Sequence, residues 1–105
     1  MDSPAHSLWQ NLHDATLVSL SLNWASGEAR LELRAGLSSA ARLLIEADGT
    51  ALLQCPRRCP WGESVSINEV RGPINAPHAG MHLEIEMQSG DVLTLEAEAI
   101  RIRAI

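Results

Sequence analysis

From Met81 to Gln88 the chain alternates strictly, with Met81, Leu83, Ile85 and Met87 apolar and His82, Glu84, Glu86 and Gln88 polar. A period of two belongs to a strand with one buried and one solvated face, and it excludes a helix over the same residues. Leu93, Leu95 and Ala97 continue the apolar face on the way back. Matching the two runs predicts a three-residue Gln88-Ser89-Gly90 loop with Gly90 left-handed, since any even loop turns one strand over. His82 then lies opposite Glu96, and Glu84, Glu86, Glu96 and Glu98 gather on the outer face.

The same signal recurs along the chain. Val18, Leu20, Leu22 and Trp24 alternate with serines and Asn23, and Ala29, Leu31, Leu33 and Ala35 alternate with Arg30, Glu32 and Arg34. A two-residue Ser26-Gly27 loop would set Leu22 opposite Leu31 and Leu20 opposite Leu33. A third pair, Ala41 to Ile45 and Ala51 to Cys55, closes through a three-residue Ala47-Asp48-Gly49 loop with Gly49 left-handed, which turns Cys55 inward. Ser64 to Val70 reads as a weaker strand, Pro73 to Gly80 as an irregular connection, and Ile100 and Ile102 as a continuation after a shift in alternation near Ala99. Ahead of all this, Ser3-Pro4 is a helix-start signal, and Ala5, Leu8, Trp9 and Leu12 form a helical stripe. A short helix from Pro4 to Leu12 follows, ended by His13 and Asp14.

About seven short strands, each with one apolar face, cannot lie flat in water. The expected fold is all-β: an antiparallel meander curled into a partly open barrel or a sandwich, with one short N-terminal helix, forming one domain over residues 1–105. The 105 residues contain eight Lys+Arg, all arginine, against thirteen Asp+Glu, for a net charge of −5. Such a balance disfavours nucleic acid, whose binding rests on phosphate neutralisation. The absence of lysine and tyrosine removes Schiff-base and phenolic chemistry. The start of the chain shows no signal-peptide pattern and no apolar run approaches a membrane span, so a cytoplasmic protein with reduced thiols is expected.

The segment from Cys55 to Gly72 breaks the repeating pattern and concentrates both cysteines, Arg57-Arg58, a Pro-Trp-Gly turn at Trp61, and Arg71. Trp and Arg are the residue types most often found as interface hot spots, and Trp61, Arg57, Arg58 and Arg71 are candidate partner-binding residues. The acidic row Glu84, Glu86, Glu96 and Glu98 is a second candidate, suited to a basic protein, although a solvated strand face is the simpler and favoured account of it. Neutralising Glu84 and Glu86 is expected to leave stability unchanged or slightly raised. Cys55 and Cys59 with His78 and His82 make up the donor set of a tetrahedral zinc site. Pro56 and Pro60 crowd the cysteines, however, and the alternation turns Cys55 inward and His82 outward, so neither metal nor other cofactor is expected. His13-Asp14 has no matching nucleophile.

The segments LHDATLVSLSLNW, PWGESVSINEVRG and LEIEMQSGDVLTLEA together resemble a group of small bacterial proteins of unknown function, loosely similar to polymorphic-toxin immunity proteins. The resemblance implies a stand-alone β domain and carries no catalytic residue with it. The expected role is non-enzymatic protein binding, immunity-like, with another protein or a second copy of the chain as partner. A small-ligand or metal-binding β-barrel is the alternative.

Overall fold

The computed structural model describes residues 8–35, 41–76 and 80–105. Six strands form one antiparallel sheet: β1 (Thr16–Asn23), β2 (Glu28–Arg34), β3 (Arg42–Gln54), β4 (Ile67–Ala76), β5 (Gly80–Met87) and β6 (Val92–Ala104). Their order, β1-β2-β3-β6-β5-β4, joins two three-stranded meanders through the central β3–β6 pair. Both central strands are 13 residues long. Each therefore serves two neighbourhoods. The first half of β3 pairs with β2 and with residues 99–104, while its second half pairs with residues 94–97, which in turn pair with β5.

The two edge strands meet at one end through the bridge between Thr16 and Ser66, supported by Leu17 N–H to the Val65 carbonyl and Ile67 N–H to the Ala15 carbonyl, both 2.8 Å. Beyond that point the sheet stays open. The result is the expected all-β fold as a partly open barrel, its inner face filled by one cluster that includes Leu31, Leu33, Ile45, Ile67, Leu83, Ile85 and Leu95. Leu12 and Ala15 are buried in the same cluster, with Leu8 and Trp9 packed on it. Residues 8–10 are helical, and the expected start of that helix at Pro4 lies outside the described residues.

Strands number six because Asp48-Gly49 is no turn. β3 runs straight through it, with Ala47 opposite Ile100 and Thr50 opposite Ala97. Gly49 is left-handed (φ 60°), as its sequence context requires, but it accommodates a bend and not a reversal. A Cβ at Gly49 would stand 2.6 Å from Cδ of the exposed Glu98 side chain, which would have to swing aside, so it is the left-handed backbone that favours glycine here. A register shift between Thr50 and Leu52 then resets the alternation, placing Leu53 against Leu95 and leaving Cys55 exposed. The inward Cys55 inferred from a local hairpin is thereby corrected. Long-range pairing with β6 satisfies more of the strand than that hairpin would.

The first hairpin also departs from its expected register. Leu22 faces Ala29 and Leu20 faces Leu31, because the connection spans residues 24–27 instead of two. Asn23 explains the longer loop: its carbonyl accepts from Gly27 N–H at 2.8 Å and its side chain from Ser26 N–H at 3.1 Å. A bulge between Leu17 and Ser19 turns Leu17 toward the core as well. The weak strand read over Ser64 to Val70 starts at Ile67 and continues through Pro73 to Ala76, so much of the supposed irregular connection is strand; residues 77–79 lie outside the described ones. The last hairpin matches its expected register, with Ile85 opposite Leu93, Leu83 opposite Leu95 and His82 opposite Glu96. The break in alternation near Ala99 is also present, with Glu98 and Ala99 both exposed between buried Ala97 and Ile100.

Candidate functional site

Asp91, immediately after the last hairpin's loop, organises the segment that follows β3. Its carboxylate accepts the N–H groups of Arg58 at 2.9 Å and Cys59 at 2.8 Å, and the Ser89 hydroxyl donates to it at 3.0 Å. Burial alone would raise the Asp91 pKa. The donors from Cys59, Arg58 and Ser89 outweigh it and hold the carboxyl below the usual aspartate range. Two residues past Cys59, Trp61 N–H donates to the Ser89 carbonyl at 3.0 Å, and Gly62 N–H closes a turn on the Cys59 carbonyl at 3.0 Å. Gly90 (φ 93°) lies directly under this turn: a Cβ there would meet Pro60 Cγ at 2.9 Å and Trp61 Cδ2 at 3.0 Å.

These contacts fix the backbone and leave the indole outside. Trp61 is 76% exposed, with Arg57 and Arg58 exposed on the same loop. An apolar ring of this size held in water on an anchored backbone has little conformational entropy left to lose on contact. Sequence reasoning found Trp61, Arg57 and Arg58 but missed Asp91 and Gly90, which hold them. The Ser-Gly-Asp turn was legible as a hairpin loop, whereas its second role depends on which loop packs over it.

Arg71 does not belong to this group. It sits on β4, where its Nε donates to Glu84 at 2.9 Å and its Nη1 to Glu69 at 2.9 Å and Glu86 at 3.3 Å. Its pairing with Trp61 is corrected by the register of β4 against β5, which sets Arg71 opposite Glu84. His82 lies between two carboxylates, with Nδ1 2.9 Å from Glu96 and Nε2 3.3 Å from Glu84. Asn68 donates to Glu86 at 2.7 Å. The acidic row is therefore a mixed-charge network. Glu98, the fourth member of the expected row, is exposed beyond the bend, and its side chain covers Gly49. Since Arg71 and His82 compensate Glu84 and Glu86, neutralising those glutamates is expected to cost stability, which reverses the direction inferred from like-charge repulsion alone.

Hydrogen bonds to Glu96 and Glu84 raise the pKa of His82, and Arg71 together with His82 lowers that of Glu84. A raised histidine contributes stability fully below its unfolded pKa of about 6.5 and loses it as pH rises through the folded pKa. The lowered carboxyls of Glu84 and Asp91 contribute above their unfolded values and lose it on acidification. Urea unfolding across pH 4 to 9 should accordingly show stability declining above about pH 6.5, and His82→Asn should flatten that limb while the acid limb persists through Asp91 and the Arg71 contact to Glu84.

Cys55 and Cys59 are both free and line a recess of about 110 Å³ with Leu17, Leu20, Met87 and Leu93. His82, on β5, is occupied by Glu84 of the same strand and Glu96 of β6, and His78 lies outside the described residues. Among the described residues no three His, Cys, Asp or Glu side chains converge as a metal cluster, and no helix is long and apolar enough to cross a membrane.

Fold and site together define an open antiparallel barrel with an anchored tryptophan loop. No family model matches this chain, and neither a curated protein nor a solved structure does so.

Proposed function

We propose that the chain is a non-enzymatic protein-interaction domain that engages its partner through the Trp61 loop. The observation that carries this reading is the 76% exposure of Trp61 on a backbone pinned by Asp91. Arg57 and Arg58 beside it favour a partner with an acidic surface, whereas the Glu84 and Glu86 carboxylates already have cationic neighbours. An immunity-like role, with a toxin as the partner, is the narrower version and rests on the resemblance of the opening segment. The small-ligand alternative has less support. The recess beside the cysteines, at about 110 Å³, falls well below the roughly 300–1,000 Å³ of typical ligand pockets, and the larger hollows, about 760 and 790 Å³, are more open troughs on the surface.

A photoreactive residue at position 61, expressed in the native host, should give one dominant protein adduct, while the same residue at position 51, where Ala51 is exposed on β3, should not. With that partner purified, Trp61→Ala should weaken binding by roughly 10- to 100-fold, as expected for a central aromatic anchor. Gly90→Ala should weaken it comparably by displacing Pro60 and Trp61 while the sheet stays folded. Equal cross-linking at both positions, or binding indifferent to both substitutions, would remove the Trp61 loop from the interface.

A further inference from the structure

The two edges of the sheet are built differently. β4 carries Glu69, Arg71 and Pro73 and has register shifts at Ile67/Glu69 and Arg71/Ile74, features that discourage another strand from adding to it. β1, TLVSLSLN, has no charge and no proline. Its start is occupied by the bridge to Ser66, but among the described residues no backbone group bonds to Val18–Leu22 on the side away from β2. Val18 and Leu22 are 44% and 39% exposed there, and Trp24 just beyond is 89% exposed.

Around Leu20 this edge reads nearly the same in both directions: Val18-Ser19-Leu20-Ser21-Leu22. We propose that two copies of the chain associate by antiparallel pairing of their β1 edges about a two-fold axis at Leu20. In that register Leu20 meets Leu20 of the second copy, Val18 meets Leu22, and Ser19 meets Ser21, so every position faces one of its own kind and the interface is isologous. Charge also selects this edge. Each chain carries −5, which opposes self-association through its acidic surfaces, whereas the β1 pair places no like charges opposite one another. The same register carries each Trp24 toward the other copy's Val65, which is 59% exposed beside Leu17. Any extended segment could bond this edge through its backbone, but a second copy is the partner whose side chains already match it, apolar to apolar and serine to serine. The surface is distinct from the Trp61 loop and does not depend on that reading.

The test uses the full chain in sedimentation equilibrium from roughly 5 to 500 μM, the range in which an interface smaller than the standard size associates. The mass should rise toward twice 11.4 kDa. Ser19→Lys with Ser21→Lys sets lysine against lysine at both serine positions across the axis and should raise the dissociation constant at least about tenfold. Ser19→Lys with Ser21→Glu should restore the dimer, because the new cation at position 19 then meets the new carboxylate at position 21 of the other copy. Within the chain's own sheet these two positions face Glu32 and Arg30, respectively, so the second pair of changes is matched on that side as well. Circular dichroism and melting establish that each variant is folded. On the unmodified protein, amide exchange at Val18–Leu22 should slow with concentration, which keeps the test decisive if a variant fails to fold. A monomeric mass throughout, a dimer indifferent to the double-lysine change, or exchange at β1 independent of concentration would each overturn the proposal.

Discussion

Leu83→Ala is expected to lower the unfolding free energy by about 2–5 kcal/mol, the range for a large-to-small change at a fully buried site. Leu83 has 0% of its surface exposed. It faces Leu95 on β6, and on its other side the β4 register shift brings Gly72 within contact, where a Cβ would stand 3.6 Å from the Leu83 Cα. Tightly paired backbone on both flanks leaves little freedom to collapse into the space, which argues for the upper part of the range. Urea unfolding with an unchanged slope is the measurement. Ile74→Ala, a comparable truncation at a residue 60% exposed on β4 and paired with outward-facing His82, is the control and should cost only about 0.5–1 kcal/mol. Equal effects at the two positions would mean that the inner face has been assigned to the wrong side of the sheet.

Arg71→Ala is expected to cost about 1–2 kcal/mol at low salt, because one guanidinium serves three carboxylates at a few tenths to one kcal/mol each. Its partners, Glu69, Glu84 and Glu86, occupy adjacent strands and would be left facing one another. Arg71 is 40% exposed and Glu69 59%, so solvent screens part of the loss, and the effect should shrink by half or more in about 0.5 M salt. Glu84→Gln with Glu86→Gln should cost less than Arg71→Ala and should partly rescue it when the changes are combined, since the repulsion disappears with the charges. A salt-independent loss, or additivity of the substitutions, would show that Arg71 acts through packing of its stem and not through its charge.

Much of this architecture is local and therefore readable in the chain. Alternation over Met81–Met87 and Leu93–Ala97 admits one odd-loop register, because a slip of one residue would expose Leu83 and Ile85 and bury the glutamates. Left-handed Gly49 and Gly90 were likewise legible, as were Trp61 and the two arginines beside it. The use made of these residues was not. At Gly49 the same backbone conformation fits a hairpin or a bend in a long strand, and the choice depends on β6, some 50 residues away in the sequence. Cys55 faces outward as a consequence.

Charge partners divide in the same way. His82 opposite Glu96 follows from the hairpin alone, whereas Arg71 opposite Glu84 requires the register of β4, whose bulges at Glu69 and around Gly72-Pro73 leave no clear period in the sequence. Asp91 reads as an ordinary turn residue until the loop after β3 folds onto it. The chain by itself determined which faces are apolar, where the backbone can turn and which side chains are suited to binding, because these follow from side-chain chemistry at fixed spacing. Only the tertiary structure decided which strands pair, which edge stays open and which buried carboxylate holds the Trp61 loop. Those outcomes turn on contacts between segments far apart in sequence, where the gain from one shared core outweighs each local preference.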